Sequence, residues 1–515
     1  MKIPVLSQHG KPIRGLLTVA KSSTFEGMFG RMFRTLPSAK FKTEDLKKLA
    51  EAMSAEKEDN PKPENELDDE ENNGALLPTD PGNRGIDAGY TYLGQFIDHD
   101  LTFDPASVLQ KQNDPDNIID FRTPRFDLDC LYGRGPDDQP YLYDSDGLHF
   151  LLGDSLTGSS KDTNTRDLPR NQANPQRALI GDPRNDENVI VSQLQGIMLR
   201  FHNRMVDYLQ SKNPSVTFAE VQQQVRWHYQ WVVLNDFLPT IVSKEALFAV
   251  LPHLKSGKSI TVDTPNRRYF RWRNDPFMPV EFSVAAYRFG HSMVRPIYRL
   301  NTQIPRFDIF SHDPATSLVG FRKFPSNWAI DWDLFFNPGN ASLVGENRIQ
   351  KAYKIDTSLV NPLANLPASI GGNIPSLPFR NLQRGADMGL PSGQSVARYM
   401  GIKPIPDSDL RVGKANEDDV KTNPKLVDIS PNFKDNAPLW YYILAETQQS
   451  FKNNGTVLQL GAVGGRIVTE VFIGLLQGDS HSYVSQCPDW KPNKDFLNKN
   501  GGFNMIDLIH QAQKA

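Results

Sequence analysis

The segment GQFIDHDLTFDP places three ionisable side chains, Asp98, His99 and Asp100, in a stretch that otherwise looks suited to a hydrophobic core. Charged side chains are seldom buried unless each is paired or bound to a metal ion. On a helix, Gln95, Asp98 and His99 would share one face, because they are three and four residues apart, whereas Asp100 would point elsewhere. One face could then present an amide, a carboxylate and an imidazole to a ligand. A salt-bridge cluster with a structural histidine is the alternative.

The segment RTPRFDLDCLYGRG carries Thr123, Arg125, Asp127 and Asp129 at every second position. In an extended strand these residues would line one edge. A hydroxyl, backbone carbonyls and carboxylates are the ligands that calcium prefers, and Asp100 would add a third carboxylate. The segment lacks the glycine and glutamate of an EF-hand loop. A solvated strand face is the alternative.

Arg184 and Glu187 lie in LIGDPRNDENVIV, just before a long helix whose predicted N-cap is Asn188. An arginine fixed beside a cleft could stabilise negative charge that develops during a reaction. Acidic residues are also common in the first turn of a helix, so Glu187 could serve the helix alone.

Arg288 and His291 are three residues apart in YRFGHSMVRP, and Gly290 would let a flat group approach the backbone. A histidine beside such a glycine fits an axial haem ligand, although a lone helical histidine is usually structural. Asn381 and Arg384 share a helical turn in LPFRNLQRGADMGLPSG. Asn381 could orient the imidazole through its other nitrogen, and Arg384 could hold a propionate.

Helical periodicity dominates the part of the chain that must position these residues. The longest pattern follows Asn188, and its apolar residues are Leu194, Ile197, Met198, Phe201, Met205 and Leu209. A second helix, ended by Pro239, is predicted over FAEVQQQVRWHYQWVVLNDFLP, and a third, ended by Pro296, over EFSVAAYRFGHSMVRP. Two more are predicted over APLWYYILAETQQSFK and VGGRIVTEVFIGLLQGD. We therefore predict a mainly α fold with long ordered loops and few short strands.

Residues 1–75 are predicted to form an arm separate from one large domain over residues 76–515. Within the arm, Thr43 would cap a short helix that has its apolar residues on one face. An acidic, proline-containing segment without aromatic residues follows this helix, which is typical of a solvated linker.

Composition and charge exclude several classes of protein. The net charge of −3 gives no electrostatic case for binding nucleic acid or an anionic membrane. No apolar run approaches the ~20 residues of a transmembrane helix. MKIPVLSQHGKPIRG contains no apolar core of a secretory signal, so the cytoplasm is the default expectation, with non-classical export left open. Two cysteines exclude a disulfide framework.

The motifs occur in the order found in a known family. The chain resembles the animal-type haem peroxidases of the peroxidase–cyclooxygenase superfamily, in what we expect to be a bacterial branch. The resemblance is carried by QFIDHDL, TPRFDLDCLYG, DPRNDE, LRFHNR, YRFGH and LPFRNLQRGADMGLP. It extends from about residue 76 to about residue 478 and implies a single haem peroxidase domain, with the N-terminal arm outside it.

The resemblance implies a role for each residue singled out above. On the peroxide side of a haem b group it places the distal histidine His99, the distal arginine Arg184 and Gln95. The other haem contacts would be the proximal iron ligand His291, its hydrogen-bond partner Asn381, Arg288, the propionate-binding Arg384 and the ester-forming Asp98 and Glu187. The calcium site would consist of Asp100, Thr123, Arg125 through its carbonyl, Asp127 and Asp129.

The chain departs from the family pattern at three positions. Asn188 follows the ester-forming Glu187 where some members carry a methionine that makes a third haem link. Neither that link nor a preference for chloride is therefore expected. In the calcium site, Arg125 replaces a usual apolar residue and Asp129 a usual hydroxyl, and both still offer oxygen ligands.

The implied activity is that of a haem-dependent peroxidase. Hydrogen peroxide would oxidise a halide, with bromide, iodide or thiocyanate ahead of chloride, or a phenolic or other organic donor. The alternatives are a fatty-acid dioxygenase of the same superfamily, a peroxidase-fold adhesion protein without turnover and a calcium protein without haem. Such dioxygenases resemble each other in having a radical-forming tyrosine three residues before the proximal histidine. This chain has Arg288 there, with Tyr287 one residue earlier.

Overall fold

Helices account for most of the regular structure, as predicted. The computed structural model describes residues 27–56, 85–102, 119–120, 122–260, 265–273, 275–304, 306–311, 313–340, 348–415, 422–454 and 459–515. Its longer α-helices, α1 to α8, are Thr43–Ala52, Gly89–Leu101, Val189–Gln210, Phe218–Val232, Leu377–Asp387, Leu439–Asn454, Gly464–Gly478 and Met505–Ala512. None of the described helices is long and apolar enough to cross a lipid bilayer.

Shorter elements connect these helices. The short α-helices are Asp129–Tyr132, Leu238–Ile241, Lys244–Val250, Val280–Ser283, Asn361–Ala364, Ala368–Gly371, Gly393–Tyr399, Leu426–Ile429 and Tyr483–Gln486. The 3-10 helices are Pro140–Leu142, Pro183–Asp186, Pro252–Ser256, Ala286–Met293, Trp332–Leu334, Pro431–Phe433 and Lys494–Phe496. The strands, β1 to β7, are Gly27–Gly30, Ile119–Asp120, Arg170–Asn171, Asn174–Ala178, Met278–Pro279, Ile297–Tyr298 and Phe307–Asp308. They form a sheet with β1 between antiparallel β2 and parallel β5, and two ribbons, β3–β4 and β6–β7.

Helix α3 passes through the core, and Asn188 fixes its start as predicted. The Asn188 side chain accepts hydrogen bonds from two backbone N–H groups of the first turn, at 3.1 and 2.9 Å. Most of the predicted apolar face is buried, with Leu194 and Phe201 fully enclosed and Leu209 partly buried. Helix α2 packs against α3 and against the 3-10 helix Ala286–Met293. The packing of α2 therefore brings together the segments that carry the two candidate histidines.

The second predicted helix does not end at Pro239. Helix α4 continues through a π-helical turn, Val233–Phe237, into Leu238–Ile241, so Pro239 lies inside the helical rod. Proline has no backbone N–H, and in an α-helix its ring clashes with the carbonyl one turn earlier. The wider π turn just before Pro239 accommodates the ring, because its hydrogen bonds span five residues instead of four.

The third predicted helix is divided rather than continuous. An α-helical turn, Val280–Ser283, precedes the 3-10 helix Ala286–Met293. Across the break, Nε of Arg288 donates to the carbonyl of Ser283 at 3.0 Å. Because a 3-10 helix has three residues per turn, Arg288 and His291 still lie on the same side of the segment.

Residues 27–56 of the predicted arm pack on the rest of the chain. Strand β1 pairs with β2 and β5, and helix α1 packs against α5. The buried Glu281 carboxylate accepts hydrogen bonds from the backbone N–H groups of Met32 and Phe33, at 2.9 and 3.2 Å. The predicted acidic linker and the boundary at residue 76 lie outside the described residues. The division into arm and domain therefore stays a prediction.

Candidate active site

A chain of amide groups sets the tautomer of His99, which is buried on α2. The Asn185 amide donates through Nδ2 to Gln195 Oε1 at 2.9 Å, so its oxygen faces the imidazole. His99 Nδ1 lies 2.7 Å from that oxygen and carries the proton, because a carbonyl oxygen can only accept. Nε2 of His99 therefore keeps a free lone pair.

Burial keeps the His99 imidazole neutral. Burial first, and then the positive charge of Arg184, lower the pKa of His99 to about 3. A neutral imidazole with an unprotonated Nε2 is a proton acceptor. The site can therefore remove a proton from a molecule bound beside α2.

Arg184 is fixed next to His99 by Asp182. The fully buried Asp182 carboxylate accepts hydrogen bonds from Nη2 of Arg184 at 2.7 Å and from Nη2 of Arg122 at 2.6 Å. Burial opposes ionisation of Asp182, but the two guanidinium groups outweigh it and hold its pKa well below the usual range. Nη2 of Arg184 also donates to the backbone carbonyl of His99 at 3.0 Å, which places a fixed positive charge beside the histidine.

Gln95 joins α2 to the segment that precedes α3. Its Nε2 donates to Oε1 of Glu187, and its Oε1 accepts from Nδ2 of Asn188 at 3.1 Å. Asn188 thus caps α3 with its oxygen and holds Gln95 with its nitrogen. Burial raises the pKa of Glu187 to about 7, which favours the protonated carboxyl more than in water.

The second histidine, His291, is held by an asparagine and an arginine. Nδ2 of Asn381 lies 2.7 Å from Nδ1 of His291, and Nη1 of Arg288 donates to Oδ1 of Asn381 at 2.9 Å. Burial, followed by repulsion from Arg288, lowers the pKa of His291 to about 3. In this orientation Nδ1 of His291 accepts and Nε2 carries the proton. Ligation of a metal through Nε2 would need the opposite tautomer, which Asn381 can support by turning its amide over when Arg288 releases it.

Electrostatic contacts connect the His99 and His291 groups of side chains. Their half-buried members are Gln95, Asp98, Arg184, Glu187, Arg288, His291, Arg380 and Arg384. The Asp98 carboxyl interacts electrostatically with Arg184 and Arg288, and the Glu187 carboxyl with Arg184 and Arg380. Burial is the main cause of the raised pKa of Asp98. The two carboxyls therefore lie within electrostatic reach of both the His99 and the His291 segments.

The side chains of these two groups fit haem. His291 can supply an axial nitrogen. Arg288, Arg380 and Arg384 supply positive charge suited to propionates. Arg288 is partly enclosed by protein. Burial lowers the pKa of Arg288, and repulsion from Arg384 and Arg380 lowers it further. An anionic ligand would relieve that repulsion.

Asp100, Asp127 and Asp129, which the sequence assigns to one predicted calcium site, lie together in a compact carboxylate cluster. Each offers one oxygen, and these oxygens lie within 4.8 Å of one another. In the described part of the chain, neither carboxylate oxygen of Asp100 or of Asp129 has a hydrogen-bond partner. Burial first, and then the charge of Asp127, raise the pKa of Asp100 to about 8. A hard divalent cation such as calcium would satisfy these oxygens.

The predicted calcium segment is bent and not an extended edge. Leu128 is fully buried with a left-handed φ of 58°, and Asp129 begins the helix Asp129–Tyr132. Thr123 Oγ1 donates to Oδ2 of Asp127 at 2.6 Å, which places its hydroxyl beside the cluster. The Arg125 guanidinium instead lies 4.0 Å from Asp479. Thr123 and the Arg125 carbonyl stay predicted ligands.

Sequence reasoning missed five residues of this site, which are Arg122, Asp182, Asn185, Gln195 and Arg380. Four of them adjoin or closely flank a motif residue, so their positions gave a weak signal. Gln195 gave no signal in the sequence, because its contact with Asn185 depends on how α3 packs on the turn before it.

Comparison with known proteins identifies a family and several relatives. Residues 107–483, most of the chain, match the animal haem peroxidase family. The chain is 27% identical over 243 residues to chorion peroxidase of Drosophila melanogaster and 25% identical over 243 residues to myeloperoxidase of Homo sapiens. These alignments cover 43% and 46% of this chain but 26% and 29% of the relatives, well under half of their length. They give no support to a bacterial branch, which stays a prediction.

Two solved structures share the fold. Peroxidase A from Dictyostelium discoideum has a TM-score of 0.55 at 18% identity, covering 85% of this chain and 88% of that chain. A fatty acid alpha-dioxygenase from Arabidopsis thaliana has a TM-score of 0.52 at 14% identity, covering 93% and 74%. At these identities the likeness establishes a shared architecture and leaves the activity open. The sequence match over residues 107–483 goes further, and by it the chain belongs to the animal haem peroxidase family.

Proposed function

We propose that this chain is a haem peroxidase that reduces hydrogen peroxide and oxidises a small donor. The observation that best supports this proposal is His99, a buried neutral imidazole whose Nε2 is free because Asn185 holds the proton on Nδ1. A base with Arg184 fixed beside it is what cleavage of a peroxide O–O bond requires. The family match begins at residue 107, so for α2 this proposal depends on geometry and on the motif itself.

The cofactor would be haem b. When bound, it supplies the iron chemistry that breaks the O–O bond of peroxide. His291, hydrogen-bonded to Asn381, would ligate its iron, and Arg288, Arg384 and Arg380 would bind its propionates.

The residues of α2 and of the turn before α3 would together move one proton. His99 Nε2 accepts the proton from one oxygen of hydrogen peroxide and returns it to the other oxygen, which leaves as water. Arg184 stabilises the negative charge that develops on the departing oxygen. Asn185 keeps Nδ1 protonated throughout, so the same nitrogen accepts and returns the proton. Gln95 would bind a water molecule or a halide beside His99.

The donor would be bromide, iodide or thiocyanate in preference to chloride, or a phenolic or other organic molecule. This preference rests on Asn188, whose amide occupies the position of a possible third haem link and is engaged with Gln95. Calcium would occupy the cluster of Asp100, Asp127 and Asp129.

A fatty-acid dioxygenase is the second candidate, and Tyr287 is the observation that favours it. Its hydroxyl is buried without a hydrogen-bond partner in the described part of the chain, and its ring stacks on Phe282 at 4.8 Å between centroids. The position three residues before His291 is nevertheless Arg288, which is engaged with Asn381. We therefore favour the peroxidase.

The test compares donors on the purified haem-loaded chain. We expect a Soret band, and peroxide-dependent oxidation of guaiacol and bromide at least tenfold faster than any oxygen uptake with linoleate. Conversion of linoleate without added peroxide, and little oxidation of guaiacol, would favour the dioxygenase. A Soret band without turnover would favour an adhesion protein, and no Soret band at all a calcium protein without haem.

Covalent attachment of haem gives a separate prediction. Each ester would form from a protonated carboxyl and a haem methyl group, with peroxide accepting two electrons and leaving as two water molecules. After peroxide treatment, acid–acetone should extract little haem from the wild-type chain. It should extract more from Asp98→Asn or Glu187→Gln, and nearly all from the double variant.

The control for this prediction is Glu245→Gln, which makes the same change at an exposed position. It should retain haem like the wild type. Complete extraction of haem from the peroxide-treated wild-type chain would show that neither ester forms.

A further inference from the structure

Arg122 lies between the carboxylate cluster and the residues next to His99. It contacts Oδ2 of Asp182 with Nη2 at 2.6 Å and with Nε at 3.1 Å. The same Nε lies 3.6 Å from Oδ1 of Asp129, one of the three carboxylates of the cluster. Only 9% of Arg122 is exposed, so salt and water screen these interactions weakly.

A row of alternating carboxyl and guanidinium groups runs from the cluster to His99. Asp129 faces Arg122, Arg122 faces Asp182, and Asp182 accepts from Nη2 of Arg184 at 2.7 Å. The row ends where Arg184 donates to the carbonyl of His99. In a poorly solvated row each charge partly neutralises the next, so a change at one end alters the field at the other.

We propose that Arg122 and Asp182 are positioning residues that couple a divalent cation in the cluster to the charge of Arg184 at the peroxide site. The role of Arg184 in this coupling rests on the proposed function. The row of ion pairs itself is present in the chain without haem. Asp129, a carboxylate where the family usually has a hydroxyl, is the residue that gives Arg122 a second partner.

The direction of the coupling follows from charge. With the cluster empty, Arg122 contacts both Asp129 and Asp182. A bound cation takes Asp129 as a ligand and repels the Arg122 guanidinium, so Arg122 pairs more fully with Asp182. Arg184 then presents more positive charge to an anion near His99. The reciprocal effect is that Arg122 competes with the cation for Asp129.

The first test measures calcium affinity of the haem-free chain by titration calorimetry. Arg122→Gln removes a positive charge next to a ligand, so calcium should bind about tenfold more tightly than to the wild type. Arg122→Lys, which keeps the charge, should bind calcium nearly as the wild type does. Arg398→Gln, which removes an exposed arginine paired with Asp435, is the control and should have no effect.

Asp182→Asn separates coupling through Arg122 from a direct effect of charge. Without the Asp182 carboxylate, Arg122 should turn wholly to Asp129 and weaken calcium binding several-fold. In the Arg122→Gln background the same substitution should have at most a third of that effect. Equal effects in both backgrounds would overturn the coupling, as would a wild-type chain that does not bind calcium.

The second test uses fluoride as an anionic probe of the haem-loaded chain, read from the Soret band. Calcium should tighten fluoride binding several-fold in the wild type, and Arg122→Gln should abolish that dependence while calcium still raises the unfolding temperature. A calcium effect of the same size in Arg122→Gln would contradict the inference.

The two tests fail independently. A chain that binds no haem but shows the calorimetric coupling would sink the proposed function and leave the ion-pair row intact. A chain with peroxidase activity whose calcium affinity does not change in Arg122→Gln would overturn the coupling and leave the proposed function intact.

Discussion

Replacing His99 with alanine should slow the reaction with hydrogen peroxide by about 10²–10⁴-fold, the usual contribution of a positioned acid–base group. The variant keeps Arg184, whose contacts are to Asp182 and to the backbone carbonyl of residue 99. The loss should therefore appear in the second-order rate constant with peroxide, measured by stopped-flow absorbance, with the resting Soret band unchanged.

Two further variants keep this prediction specific. His481→Ala removes a largely exposed imidazole and should react with peroxide at the wild-type rate. Asn185→Leu leaves His99 in place but removes the acceptor that holds the proton on Nδ1, so it should lose a large part of the rate. A His99→Ala variant that reacted at the wild-type rate would remove the proton-transfer role from this residue.

The pH dependence has a definite sign. Because the pKa of His99 is lowered to about 3, the neutral base is present at every pH well above that value. The wild-type rate constant should therefore be flat from pH 5 to pH 8. In Asn185→Asp a carboxylate favours the imidazolium, raises the pKa of His99, and should make the rate fall as pH decreases through the raised value.

The helices of this chain were predictable because their apolar residues follow a local period. The face of α3 and the cap at Asn188 depend on residues within a few positions of one another. The same rule failed at Pro239, where a π turn lets the helix continue, and in the segment before His291, where the backbone tightens to a 3-10 helix. Both exceptions depend on local backbone geometry that periodicity does not encode.

Site residues could be predicted where the side chain itself does the chemistry. They could not be predicted where a residue matters only through the partner that it contacts. His99 and the cluster carboxylates could be proposed from their own functional groups. Asn185 and Arg122 could not, since their importance comes from contacts with His99 and Asp182, which are 86 and 60 residues away in the chain. The sequence predicts which groups react, and the packing of α2 on the turn before α3 determines which groups hold them.

Calcium should stabilise the folded chain, and removal of one cluster carboxylate should abolish that effect. Three carboxylates within 4.8 Å repel one another, and the two buried ones, Asp100 and Asp129, have no hydrogen-bond partner in the described residues. A ligand at 100 times its dissociation constant adds about 2.7 kcal/mol to the free energy of unfolding, which should raise the unfolding temperature by several degrees. Asp129→Asn should lose most of this response, and Asp137→Asn, at an exposed position, should keep it.

The stability of the cation-free chain should depend on pH. The pKa of Asp100 is about 8 in the folded chain and near its ordinary value when unfolded, so the folded state binds the extra proton. Stability without calcium should therefore fall as pH rises from about 4 to about 8. Calcium displaces that proton, so the calcium-induced rise in unfolding temperature should be small at pH 5 and large at pH 8.

Asp100→Asn gives the sharpest form of this result. At pH 8 without calcium it replaces a partly ionised, unpartnered carboxyl with a neutral amide, so it should be at least as stable as the wild type. With calcium the order should reverse, because the wild type gains a ligand oxygen that the amide supplies less well. If neither calcium nor EDTA changes the unfolding temperature at either pH value, these carboxylates do not bind a cation. In that case Asp100 would remain a buried acid, kept neutral by its surroundings.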